Sequence, residues 1–113
     1  MPQTDVNQVR LAGRLADLRQ RWTPDGTLAV VGNLYLPRPG LGPVNKTVEL
    51  NQPLPLHALK DPAELLLRYE GRRVDIQGRL RRRYYHRSGT AHWGQVEIWV
   101  DHCCPMQDQE ENQ

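Results

Sequence analysis

The sequence predicts an all-β domain, a five-stranded barrel with one short helix between the third and fourth strands. Three observations carry that expectation. Apolar and small residues recur with period two in several segments, glycines fall inside those segments where strong curvature is needed, and a single helix-start signal separates the third strand from the fourth. At 113 residues the chain is long enough for one core and too short for two.

The first strand is expected from Val6 to about Leu18, with Val9, Leu11, Gly13 and Leu15 inward and Arg10 and Arg14 outward. Gly13 suggests a bend or bulge that lets a long strand serve both sides of a small barrel. Thr23-Pro24-Asp25-Gly26 reads as a turn, because proline presets the first central position and glycine accepts positive φ. Thr27 to Leu36 follows as the second strand, with Leu28, Val30, Gly32, Leu34 and Leu36 on one face and Tyr35 out of phase with them. The proline-rich stretch 37–43 reads as a loop. Val44 to Leu50 is expected to be the third strand, broken over Asn51 to Leu56 by two prolines.

Asp61-Pro62-Ala63-Glu64 then has the pattern of a helix start, with Asp61 as the cap, and the helix runs to about Tyr69 before Gly71. Arg72 to Tyr85 alternates as the fourth strand, His86-Arg87-Ser88-Gly89 as a turn, and Thr90 begins the return. The fifth strand is expected over His92 to Val100, with Val96, Ile98 and Val100 inward and Glu97 and Trp99 outward. Residues 1–102 thus form the domain, and residues 103–113 a polar, acidic tail expected to be disordered. Three strands, a helix and two strands is the order of an OB-fold, a five-stranded Greek-key barrel; a barrel of the SH3 type would lack the central helix.

Charge is distributed unevenly. The net charge of +2 says little, but the chain from Asp101 onward holds four of the 13 acids and none of the 15 cations. Eight arginines fall within Arg68 to Arg87, against Glu70 and Asp75. No run of 18 apolar residues exists and no leader-like segment opens the chain, so neither a membrane span nor a signal peptide is expected, and the compartment expected is the cytoplasm. Vicinal Cys103 and Cys104 suit neither a disulfide framework nor a zinc site, whose ligands are spaced by two to four residues. Ser88 is the only serine, and no carboxylate pair or histidine cluster has spacing suited to acid–base chemistry, so no enzyme, cofactor or metal is expected.

On strand four, Arg79, Arg81, Arg83 and Tyr85 share a face, where guanidinium groups can track phosphates while a ring offers a base something to stack on. The bland alternative is a charged edge that discourages sheet-to-sheet aggregation. Arg10 and Arg14 on strand one, and Arg38 and Lys46 around the proline-rich loop, are further phosphate candidates. Trp22 either stacks on a base or caps the barrel end. Trp93, close to the strand-four turn, is a nucleic-acid candidate, whereas Trp99 is assigned to core or interface.

Three segments in order resemble the bacterial single-stranded DNA-binding protein family across roughly Asn7 to Val100. They are Asn7 to Leu15, similar to N-x-V-x-L-x-G-R-L; Arg21 to Gly26, similar to R-Y-T-P-x-G; and Gly71 to Leu80, similar to G-x-x-V-x-V-x-G-x-L. The resemblance implies an OB-fold that binds single-stranded DNA in replication, recombination or repair, as a homotetramer or, in smaller primosomal-type relatives, a homodimer. It places the family's strand-four stacking aromatic at Tyr85 and its strand-five aromatic at Trp93. The position of the usual strand-three aromatic is Asn45, and residues 107–113 lack the D-D-x-I-P-F peptide that recruits partner proteins. A primosome-type adaptor that chiefly holds proteins, and an RNA-binding OB domain, are the competing expectations.

Overall fold

Alternation of apolar and polar side chains sets the architecture, because each strand has to bury one face and leave the other to water. The computed structural model describes residues 4–37 and 51–106. The elements are β1 (Val9–Trp22), β2 (Leu28–Pro37), β3 (Asn51–Leu59), α1 (Asp61–Arg68), β4 (Arg73–Arg87) and β5 (Thr90–Pro105). The sheet order is β1-β2-β3-β5-β4, and it returns to its start because β4 pairs antiparallel with β1 from Val9–Gly78 to Arg14–Arg73. All neighbours are antiparallel except β3 and β5, which meet in parallel at Leu56–Ile98 and His57–Trp99. Inside lie Leu15, Val30, Leu34, Leu56, Val74, Ile76, Ile98 and Val100, with Ala63 and Leu66 of α1 packed onto them. No helix among the described residues is long and apolar enough to cross a membrane.

Several expectations change. β1 starts at Val9 rather than Val6, which is exposed, and runs past Leu18 to Trp22. A bulge between Ala16 and Arg19 allows this, with Asp17 at φ 59°. Its carboxylate accepts from Asn33 Nδ2 at 3.0 Å and the Tyr35 hydroxyl at 2.6 Å, which pins the bulge to β2. The bulge therefore sits at Asp17 and not at Gly13. Gly13 is needed for another reason: a Cβ there would collide with the Tyr35 carbonyl oxygen.

β3 occupies Asn51–Leu59, the stretch expected to be broken by prolines, while 44–50 lies outside the described residues, as does most of the expected loop. Pro53 and Pro55 pair with Tyr35 and Asn33, and β5 reaches β3 only at Leu56 and His57. The prolines thus fall where, among the described residues, one flank of the strand carries no ladder, the position at which a strand tolerates them. At the helix start the cap is Lys60, at φ 58°, with no side-chain cap bond; its carbonyl accepts from Glu64 N at 3.1 Å. Asp61 is already helical, and with Glu64 it places negative charge at the positive end of the helix dipole.

β4 and β5 are longer than expected, and the turn between them is reduced to Ser88 and Gly89, at φ 52° and 77°. Positive φ at both central residues is the requirement of a tight type I′ hairpin. β5 continues to Pro105, so Cys103 to Pro105 belong to the sheet and not to a tail. The phase of β5 shifts twice against β4, between Gln77 and Gly78 and between Arg82 and Tyr84. After the first shift Cys103 is buried in the core, which pushes its thiol up to about 11. At two positions on β5 exposure departs from the expected facing: Val96 is 48% exposed and Glu97 only 4%. Val96 keeps the core phase but lies beyond the end of the closed sheet, whereas Glu97 faces outward and is covered by its neighbours.

Candidate nucleic-acid interface

Following the outward phase across the register assembles one continuous surface. On β1 it carries Arg19 and Arg21, paired with Val31 and Ala29 of β2; Val31 faces His57 of β3, which pairs with Trp99 of β5, and Trp99 faces Arg79 of β4. Farther along β4 the same phase brings Arg81, Arg83 and Tyr85. The expected common face of Arg79, Arg81, Arg83 and Tyr85 is therefore present. Every residue from Arg79 to His92 is exposed, so this part of the hairpin stands clear of the core.

The middle of this surface is a stack of flat groups. Trp99 lies with its ring 4.8 Å from that of His57, nearly parallel, and the Arg81 guanidinium sits 4.3 Å from the Trp99 ring centroid. Beneath them Glu97 is buried, its Oε1 3.5 Å from Arg81 Nε and 3.6 Å from His57 Nδ1. Among the described residues, neither Oε1 nor His57 Nδ1 has a hydrogen-bond partner. An unmet buried acceptor costs about 1–3 kcal/mol, so this carboxylate carries a standing demand for a donor. Burial lowers the His57 pKa, and Glu97 opposes that.

A cavity of about 220 Å³ opens beside the stack, lined among others by Arg19, Arg21, Asn33, His57, Arg83 and Glu97. Its walls come from β1, β2, β3, β4 and β5, so the hairpin leans back toward β1 across the sheet's outer face.

The predicted site residues divide among this surface and others. Arg81 and Arg83 line it directly, and Tyr85 continues it, 44% exposed and stacked on His92 with ring centroids 5.6 Å apart. Arg79 shares the phase but is held by Asp101, with Nη2 to Oδ1 at 2.8 Å. Arg10 is likewise held by Asp75 at 2.7 Å, on the β1–β4 side. Arg14 sits over the Tyr35 ring at 5.0 Å. Trp22 is 67% exposed but pairs with Leu28, in the core phase, so it stands at the end of the sheet and not among Arg19 and Arg21. Arg38 and Lys46 lie outside the described residues.

Trp93 is separated from Tyr85. It pairs with Tyr84, ring centroids 4.8 Å apart, with the Arg82 guanidinium 5.5 Å from its ring, and directly paired residues share a face. The hairpin thus has two aromatic and cationic sides. One carries Arg81, Arg83, Tyr85 and His92; the other carries Arg82, Tyr84 and Trp93 beside the exposed Leu80 and Val96.

Sequence reasoning missed Arg19, Arg21, His57 and Glu97 as members of the surface. The bulge at Asp17 hides the first two, because it shifts the phase after Ala16. His57 lies on a strand that its prolines concealed. On β5 the alternation does place Glu97 and Trp99 outward, without revealing that Glu97 is buried there.

No protein-family model matches the chain, and a search of curated proteins finds no significant match.

Proposed function

We propose that this chain is an OB-fold protein that binds single-stranded DNA with broad sequence tolerance, without catalysis, in bacterial replication, recombination or repair. The observation that carries the reading is the outward surface itself. Arg19, Arg21 and Arg83 surround a groove, Arg81 lies beside it over Trp99, and exposed Tyr85 extends it along a projecting hairpin. Guanidinium groups meet phosphates without regard to sequence, and rings stack on any base, so this combination suits an unpaired strand better than a duplex. The closed five-stranded sheet with its helix between β3 and β4 is compatible with an OB barrel, whose strands two and three and the hairpin between strands four and five form the usual binding side. The resemblance at Asn7 to Leu15, Arg21 to Gly26 and Gly71 to Leu80 supports the same reading, and with it assembly as a homodimer or homotetramer in the cytoplasm.

A second reading has its own observation. Leu80, Tyr84, Trp93 and Val96, each about half exposed or more, form an apolar side of the hairpin that a partner protein or a second copy could cover. A primosome-type adaptor would use that side and bind single strands weakly. Titration with oligo-dT and with RNA of matched sequence tests both. Tight, salt-sensitive binding of DNA supports the first reading; micromolar or weaker binding alongside a tight protein partner supports the second, and a clear preference for RNA replaces both.

A further inference from the structure

We propose that the cavity beside Glu97 is a base-reading pocket that selects guanine at one position of the bound strand. The inference rests on the single-strand-binding reading above and adds a specificity that this reading does not contain.

Glu97 faces the candidate interface and yet is 96% withdrawn from solvent, with 4% of its surface accessible. Its Oε1 has the Arg81 guanidinium and the His57 ring nearby but no hydrogen bond among the described residues, since 3.5 Å to Arg81 Nε and 3.6 Å to His57 Nδ1 are both too long or too poorly aligned. His57 Nδ1, buried nearby, has no hydrogen-bond partner among the described residues either. Both residues, Glu97 and His57, line a single cavity of about 220 Å³, with their unmet atoms set behind its wall. Arg19, Arg21 and Arg83 are exposed around it, so a nucleotide can leave its phosphate among guanidinium groups while its base edge turns inward.

The chemistry of that edge decides which base fits. An ionised carboxylate only accepts hydrogen bonds. Guanine presents two adjacent donors, N1–H and N2–H₂, on its Watson–Crick edge. Thymine presents a single N3–H between two carbonyl oxygens, both of which would meet the carboxylate with like polarity. Reading of an unpaired base through this edge is the ordinary route to single-strand specificity. An unmet buried acceptor in the free protein sharpens the choice, since a matching donor satisfies it and a mismatched oxygen leaves it desolvated.

The test compares binding of oligo-dT with the same oligomer carrying one central dG, and a third in which inosine, lacking the 2-amino group, replaces that dG. The dG oligomer should bind the wild-type protein about tenfold tighter than oligo-dT, the size of effect one good base contact gives, and inosine should lose part of that gain. Glu97→Gln should reduce the preference to within about twofold while oligo-dT still binds. Equal affinity for dG and dT oligomers would overturn the pocket and leave single-strand binding standing, as would a preference that survives Glu97→Gln. Failure of every oligomer to bind would instead overturn the single-strand reading. The inosine comparison uses the unaltered protein, so it decides the matter even if Glu97→Gln fails to fold.

Discussion

Tyr85 and Gly13 show how differently two residues of this sheet should respond to change. Tyr85 is exposed on the hairpin, with His92 stacked against it, so Tyr85→Ala should weaken binding of oligo-dT by about 1–3 kcal/mol without lowering the melting temperature. Unchanged affinity would remove Tyr85 from the site. Gly13 lies against the Tyr35 carbonyl with no space for a methyl group. Gly13→Ala forces β1 away from β2 and should cost about 1–3 kcal/mol of stability, read as a lower denaturation midpoint. His57 links stability to pH. Burial holds its pKa below the ordinary 6.5, against the pull of Glu97 and with the push of Arg81, Arg83 and Arg21. A base with a depressed folded pKa contributes stability that is present above 6.5 and lost as pH falls through that value, because the unfolded chain takes up the proton first. His57→Gln should flatten the fall in melting temperature below that pH; an unchanged slope would assign it to other groups.

At the scale of elements, the β4–β5 hairpin decides what a strand can reach. Arg83 and Tyr85 lie on the groove side, Arg82 and Trp93 on the other. A short oligomer held in the groove should therefore feel Arg83→Ala and ignore Arg82→Ala, whereas a longer one able to pass around the hairpin should feel both. Equal sensitivity of the short oligomer to both changes would contradict the two-sided arrangement.

Most of this element was legible in the sequence. Strict alternation from Val74 to Leu80 and the Ser88-Gly89 turn fix the phase of β4, and no bulge on that strand disturbs it. The partner strand was harder to read. Its two phase shifts depend on pairing with β4, so nothing local to Trp93, Val96 or Cys103 reveals which face each joins. Pro53 and Pro55 misled for a similar reason, because whether a proline breaks a strand depends on the ladder beside it. Arg19 and Arg21 join the groove only through the Asp17 bulge, whose bonds to Asn33 and Tyr35 span the β1–β2 pairing.

For the whole molecule, the net charge of +2 conceals a surface on which Arg19, Arg21 and Arg83 meet around one groove. Arg10 and Arg79 are paired with Asp75 and Asp101, which leaves them weaker phosphate ligands than their positions suggest. The salt dependence of binding should consequently reflect the groove arginines, and Arg83→Ala should reduce the slope of log K against log salt by about one, while Arg10→Ala should change it little. The most direct measurement is that titration on the unaltered protein, following tryptophan fluorescence with oligo-dT over a range of salt concentrations and with a duplex for comparison. Binding that is tight at low salt, falls steeply as salt rises and favours the single strand is the predicted result. No quenching and no retained complex at low salt, or equal affinity for the duplex, would contradict it.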